Sequence, residues 1–189
     1  MNINDASYMW YGIGITVIYL IYIKLFGNKK LKIKEYKKIQ VQEYQDKIIC
    51  SINNMSGRDF ECFVAFIFEC LGYKVNLTQA SRDGGKDLII KKDGITTYVE
   101  LKRYASKNKI SSTQVLKLIG SACADGVHNV IFITTSSYSN DCYNIQSNKD
   151  MNVQLLDLDD FMDMCMECPQ GEILEMLGYK VESYLKVVK

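Results

Sequence analysis

The chain has a single histidine, His128, in 189 residues, and of its seven cysteines only Cys165 and Cys168 stand at a CxxC spacing. With no second CxxC and the histidine far away in sequence, a four-ligand zinc site is hard to assemble. Cys50, Cys62, Cys70, Cys123 and Cys142 are spread singly through apolar patterns, where cysteine behaves as a small hydrophobe. The thiols therefore read as reduced, which points to a cytosolic face. A surplus of either charge is also missing: 23 Lys and Arg against 22 Asp and Glu leave a net +1, so charge alone gives no reason to expect a nucleic-acid partner. Hydrophobic content of 48% and charged content of 24% exclude disorder for most of the chain. The length bounds it to one domain of ordinary size plus a short appendage.

Divided by segment, the charge does carry information. Residues 6–23 (ASYMWYGIGITVIYLIYI) contain no charge, and eighteen helical residues span about 27 Å, close to the thickness of a bilayer core. Tyr8, Trp10 and Tyr11 lie near its start, where aromatic rings suit a membrane interface. A cleaved signal peptide would need positive charge ahead of this run and small residues behind it, and neither is present. A buried core helix would show a polar face, and none exists. Seven lysines and one glutamate follow in residues 24–38. The expectation is a single transmembrane helix at 6–26, held by the positive-inside rule so that all later residues face the cytoplasm. A basic, helical linker is expected at 27–54, with its helix from about 35 to 53.

Asn53-Asn54-Met55-Ser56-Gly57 marks the start of a domain, with Ser56 and Asp59 in capping-box positions and Gly72 as the helix stop. Short β-type runs follow at 73–77, 87–91 and 95–104, the last two joined by the hairpin signal Lys92-Asp93-Gly94. A helix at 112–125, a buried strand at 129–135, a helix at 140–148 and a buried strand at 153–156 complete the pattern. The order α-β-β-β-α-β-α-β predicts an α/β domain with a mixed central sheet over 55–161. Residues 157–175 carry seven acids and no Lys or Arg, so an acidic C-terminal tail of one or two helices is expected at 162–189. Leu71-Gly-Tyr-Lys-Val75 recurs as Leu177-Gly-Tyr-Lys-Val181, too short a match to make a repeat.

Within that domain, Asp87 opens one strand and Glu100-Leu101-Lys102 lies in the next. Alternation along a strand places Glu100 and Lys102 on one face and Val99 and Leu101 on the other. The hairpin brings Asp87 across from Glu100, so two carboxylates and a lysine converge. Asp83-Gly84-Gly85 just before permits a close backbone approach. A lone ExK on a strand is most often a solvated ion-paired face. Here Arg103, Lys107 and Lys109 follow as a strip suited to phosphates. Glu61 stands on a mostly apolar helix, where a metal site or the helix N-terminus would explain an acid. Hydrolysis of a phosphodiester needs this chemistry: carboxylates for a hard divalent cation and a fixed positive charge.

The stretches MSGRDFECFVAFIFECLGYKV, TQASRDGGKDLII, VELKRY, IFITTSSYS and VQLLDLDDF occur in order between residues 55 and 161. Together they resemble the catalytic domain of the Mrr family of restriction endonucleases, a branch of the PD-(D/E)xK nucleases. The resemblance implies a restriction-endonuclease-like α-β-β-β-α-β core, a Mg2+ (or Mn2+) cofactor and DNA as partner. It assigns Asp87 and Glu100 as metal ligands with the Leu101 carbonyl beside them, Lys102 as the catalytic lysine, and Glu61 as a helix-borne acid that completes or orients the metal site. Gln114, in the following helix, faces the site by the same comparison. Leu101 stands where relatives often have cysteine. Relatives also usually add a separate DNA-selecting domain, so specificity for modified bases is not expected to carry over.

The expected function is a cell-membrane, single-pass DNA endonuclease with a cytoplasmic catalytic domain, acting on foreign DNA. A homodimer would supply the two active sites that double-strand cutting commonly uses. Two alternatives stay open: a catalytically silent DNA-binding module of the same fold, and a membrane-bound protein-interaction protein that uses the acidic tail.

Overall fold

The computed structural model describes residues 28–78, 85–105, 107–146 and 150–180. The chain divides into two units, Met1–Cys50 and Ser51–Lys189. Helix α1 (Asn28–Asn54) starts earlier than the linker pattern suggests, and on it Gln42 donates to Asp46 at 3.0 Å one turn on. Among the described residues no helix is long and apolar enough to cross a membrane. The expected transmembrane segment at 6–26 lies outside the described residues.

The second unit holds the α/β domain. Helix α2 (Gly57–Cys70) begins at a reciprocal cap: the Asp59 amide donates to the Ser56 hydroxyl at 3.1 Å, and the Ser56 amide to the Asp59 carboxylate at 3.1 Å. Strands β1 (Lys74–Leu77), β2 (Leu88–Lys92) and β3 (Ile95–Lys102) follow. Helix α3 (Ser112–Ala124), β4 (Asn129–Thr134), α4 (Asn140–Gln146), β5 (Asn152–Leu156), α5 (Leu158–Glu167) and α6 (Gln170–Met176) complete the order. The five strands lie side by side in chain order, antiparallel from β1 to β3 and parallel from β3 to β5. This is the mixed sheet expected, with element ends shifted by a residue or two. The β2–β3 hairpin closes on Asp93 and Gly94 at φ values of 51° and 81°, the left-handed pair that a two-residue turn of matching twist requires.

Both faces of the sheet are covered. Tyr98, Val130, Phe132, Val153 and Leu155 form one core with Val115, Leu118 and Ala122 of α3 and Cys142 of α4. On the other face Leu88, Ile90, Val99, Leu101, Ile131 and Ile133 are buried, with α2 against β1 and β2 and α5 against β4 and β5. Phe161 of α5 meets Phe60 and Phe63 of α2 edge-on, at ring separations of 5.9 and 5.8 Å.

One boundary differs from the expectation, although the one or two helices expected in the C-terminal region are present. The domain does not end at 161: α5 and α6 bury Phe161, Met162, Cys165, Ile173 and Leu174 in the same unit, so the expected tail of 162–189 is core structure at least to the end of α6. Its acids point outward or cap. The Asp157 carboxylate accepts from the amides of Asp159 at 3.0 Å and Asp160 at 3.2 Å. The repeated Leu-Gly-Tyr is a helix stop used twice. Gly72 and Gly178, at φ 84° and 81°, let Tyr73 and Tyr179 donate back to Phe68 and Leu174 at 3.0 and 2.8 Å.

Candidate active site

Asp87 is held from three sides. Its amide donates to the Val99 carbonyl at 2.8 Å, and its carbonyl accepts from the Thr78 amide at 2.9 Å and the Thr78 hydroxyl at 3.0 Å. Its carboxylate Oδ2 accepts from the Leu101 amide at 2.7 Å. With Leu88 paired to Val99, Asp87 falls opposite Glu100, as the hairpin spacing requires. Glu100 and Lys102 then project from the same face of β3. Lys102 Nζ pairs with Glu100 Oε1, donates to the Leu101 carbonyl at 3.1 Å, and stands 3.9 Å from Asp87 Oδ2.

The face that carries these groups is not an open charged surface. Glu100 lies at the edge of the core beneath α3, only 8% exposed, and its Oε2 has no hydrogen-bond partner among the described residues. Burial pushes the Glu100 carboxyl up to about 7, and the charge of Asp87 adds to this while Lys102 and then Lys117 oppose it. Burial also works against the charge of Lys102, but the hydrogen bond and charge of Glu100 and the charge of Asp87 outweigh it, so its proton is held more tightly than usual.

A buried carboxylate oxygen with nothing to accept from is a group short of a cation. Two hard carboxylates within reach of one ammonium, with a main-chain carbonyl between them, fit a divalent ion that keeps water in its other positions. Among the described residues no three His, Cys, Asp or Glu side chains form a metal-binding group. Glu61, the third acid the sequence suggested, is instead paired with Arg58 at 2.8 Å, and Arg58 also donates to the Thr78 carbonyl at 3.0 Å.

Arg103, Lys107 and Lys109 are exposed on the connection after β3, together with Tyr104. Hydroxyls following β4 hold that connection: Thr135 donates to the Tyr104 carbonyl at 2.8 Å and Ser136 to the Asn108 carbonyl at 2.9 Å. Gln114 accepts from the Ser111 amide at 3.0 Å at the start of α3, and its amide donates to the Tyr104 hydroxyl at 3.3 Å. It orders the rim rather than touching the carboxylates. Asp83 and Gly84 lie outside the described residues, while Gly85 has φ +89°.

Four further residues, Lys86, Tyr98, Asp125 and Lys117, were not singled out by the sequence. Lys86 pairs with Asp125 at 2.7 Å and sits 4.2 Å from the centre of the Tyr98 ring, and the Tyr98 hydroxyl donates to the same carboxylate at 2.8 Å. This cluster ties the residue before Asp87 to the end of α3. Lys117 of α3 crosses Gly85, and its position one turn after Gln114 was the available signal. Cys165 and Cys168 are buried free thiols.

Comparison with known proteins follows the same domain. Residues 52–165 match the family Mrr_cat, described as restriction endonuclease. Uncharacterized protein y4cE of Sinorhizobium fredii (strain NBRC 101917 / NGR234) is 31% identical over 97 residues, which cover 49% of this chain and 25% of that protein. The DNA modification-dependent restriction endonuclease AspBHI shares the fold, with a TM-score of 0.54 at 18% identity over 73% of this chain and 38% of its own. The MspJI restriction endonuclease, solved with a 27-mer oligonucleotide, gives a TM-score of 0.48 at 15% identity, covering 74% of this chain and 34% of its own. The match thus spans a quarter of the curated relative and little more than a third of either solved chain.

Proposed function

The chain belongs to the restriction endonuclease family Mrr_cat, and we propose that it is a metal-dependent endodeoxyribonuclease working through Asp87, Glu100 and Lys102. One observation carries the reading: the two carboxylates meet a single ammonium, and a buried Glu100 oxygen has no partner among the described residues. Mg2+ or Mn2+ is the cation this oxygen set suits. When bound, such an ion polarises a phosphoryl oxygen and lowers the pKa of a water.

The chain's own groups do the rest. Glu100 and Asp87 would hold the cation, with the Leu101 carbonyl as a further oxygen. Lys102 keeps its proton and donates toward the attacking water and the charge that develops on the phosphate. Arg103, Lys107 and Lys109 hold flanking phosphates without reading sequence. Glu61 serves the site at most through Arg58 and Thr78. Residues 6–26 tether the domain to the inner face of the cell membrane, where incoming foreign DNA would be met. Pairing in the membrane plane would bring two sites to one duplex.

The test is Mg2+-dependent cleavage of duplex and single-stranded DNA by the 189-residue protein. Lys102→Ala and Glu100→Gln should each lose at least about 100-fold in rate, as expected for loss of an electrostatic stabiliser. Equal cleavage by wild type and Lys102→Ala would end the catalytic assignment. DNA binding without any metal-dependent cleavage would leave a silent DNA-binding module.

A further inference from the structure

Lys102 cannot answer the whole charge of a DNA backbone. Its ammonium already faces two carboxylates and a carbonyl. Without a bound divalent cation, Asp87, Glu100 and Lys102 sum to a negative charge, and a phosphodiester adds another. A cationic side chain beside the carboxylates would offset part of that repulsion.

Lys117 is placed to do this. A Cβ built on Gly85 would lie 3.2 Å from its Cε, 3.4 Å from its Cδ and 3.6 Å from its Cγ, so the far end of the side chain runs across a glycine two residues before Asp87. Gly85 sits at φ +89°, a conformation side chains rarely adopt, and its bare backbone leaves the path open. Lys117 is exposed, and among the described residues its ammonium has no ion-pair partner. Its charge is nonetheless felt at Glu100, whose proton it loosens. One turn earlier on α3, Gln114 holds the hydroxyl of exposed Tyr104. This flank of the helix therefore borders the site from Gly85, which Lys117 crosses, to Tyr104, which Gln114 holds.

We propose that Lys117 binds a phosphate of the DNA backbone next to the scissile bond. The inference rests on the nuclease reading above and adds a residue of α3 to it. The contact is made equally to bound substrate and to the transition state, so it governs affinity and salt dependence rather than the chemical step.

The measurement is fluorescence anisotropy of a short labelled DNA duplex with the 189-residue protein, without divalent cation, from about 50 to 200 mM salt. Lys117→Gln should reduce the slope of log affinity against log salt by about one unit, and Lys117→Arg should restore it. Under Mg2+ turnover, Lys117→Gln should raise KM about fivefold and leave kcat within about twofold. Lys117 is exposed, so the unfolding midpoint of both variants should stay at the wild-type value. If wild type binds and cleaves but Lys117→Gln keeps its full salt slope, the inference falls and the nuclease reading stands. A drop in kcat with unchanged slope would make Lys117 a support for the Gly85 backbone, which also overturns it. A wild type with no measurable affinity for DNA would overturn both.

Discussion

Glu100 is the residue on which the chemistry turns. Burial and the nearby Asp87 charge raise its proton affinity, so the site gains most from a bound cation when Glu100 is ionised. A cation that binds only the folded protein stabilises it, by about 2.7 kcal/mol at a hundredfold excess over its dissociation constant. Mg2+ or Mn2+ should therefore raise the unfolding temperature of wild type and leave Glu100→Gln unmoved. An identical rise in both would take the cation away from this site. The thiols make a second prediction. Burial pushes Cys165 far above its ordinary range and Cys168 up to about 12, while Cys123 is exposed. The thiolate is the nucleophile, so raised values mean little reactive form at neutral pH. Cys123 should be alkylated by iodoacetamide at pH 8 long before Cys165 and Cys168, as peptide mass mapping would show. Simultaneous labelling in the native protein would contradict the burial.

At the scale of elements, the β2–β3 hairpin does the positioning. Its register sets Asp87 against Glu100, and a slip of one residue would send Glu100 and Lys102 into the face packed on α2 and α5. The turn depends on Gly94 at φ +81°, where a Cβ would meet nothing within 4 Å. Gly94→Ala should thus cost about 1–2 kcal/mol from backbone conformation alone, read as a lowered urea midpoint at unchanged m. No loss of stability would mean the turn relaxes. These features were readable beforehand: Lys92-Asp93-Gly94 is a hairpin signal, and the ExK spacing puts its charged pair on one face. The partner of Glu61 was not readable, because Arg58 is an i,i+3 neighbour whose direction depends on the carbonyl of Thr78 across the fold.

Across the whole molecule, α5 and α6 change the picture of the C-terminal region. Phe161 is fully buried between the rings of Phe60 and Phe63. Phe161→Ala should cost about 3–5 kcal/mol, measurable by chemical denaturation. Truncation after Asp157 should unfold the domain rather than release activity, and a cooperative melt in the truncated protein would argue otherwise. The seven acids of 157–175 obscured this. A count of charge does not show that Phe161, Met162 and Cys165 share one helical face.

Local rules sufficed for the order of elements, the mixed sheet and the meeting of Asp87, Glu100 and Lys102, because strand alternation and a two-residue turn act over a few residues. What only the tertiary structure decided is the setting of those groups. The burial of Glu100 beneath α3, its oxygen with no partner among the described residues, the reach of Arg58 to the Thr78 carbonyl and the path of Lys117 over Gly85 all arise from segments distant in sequence. Desolvation and charge at a point depend on every group packed around it, and no window of the chain contains them all.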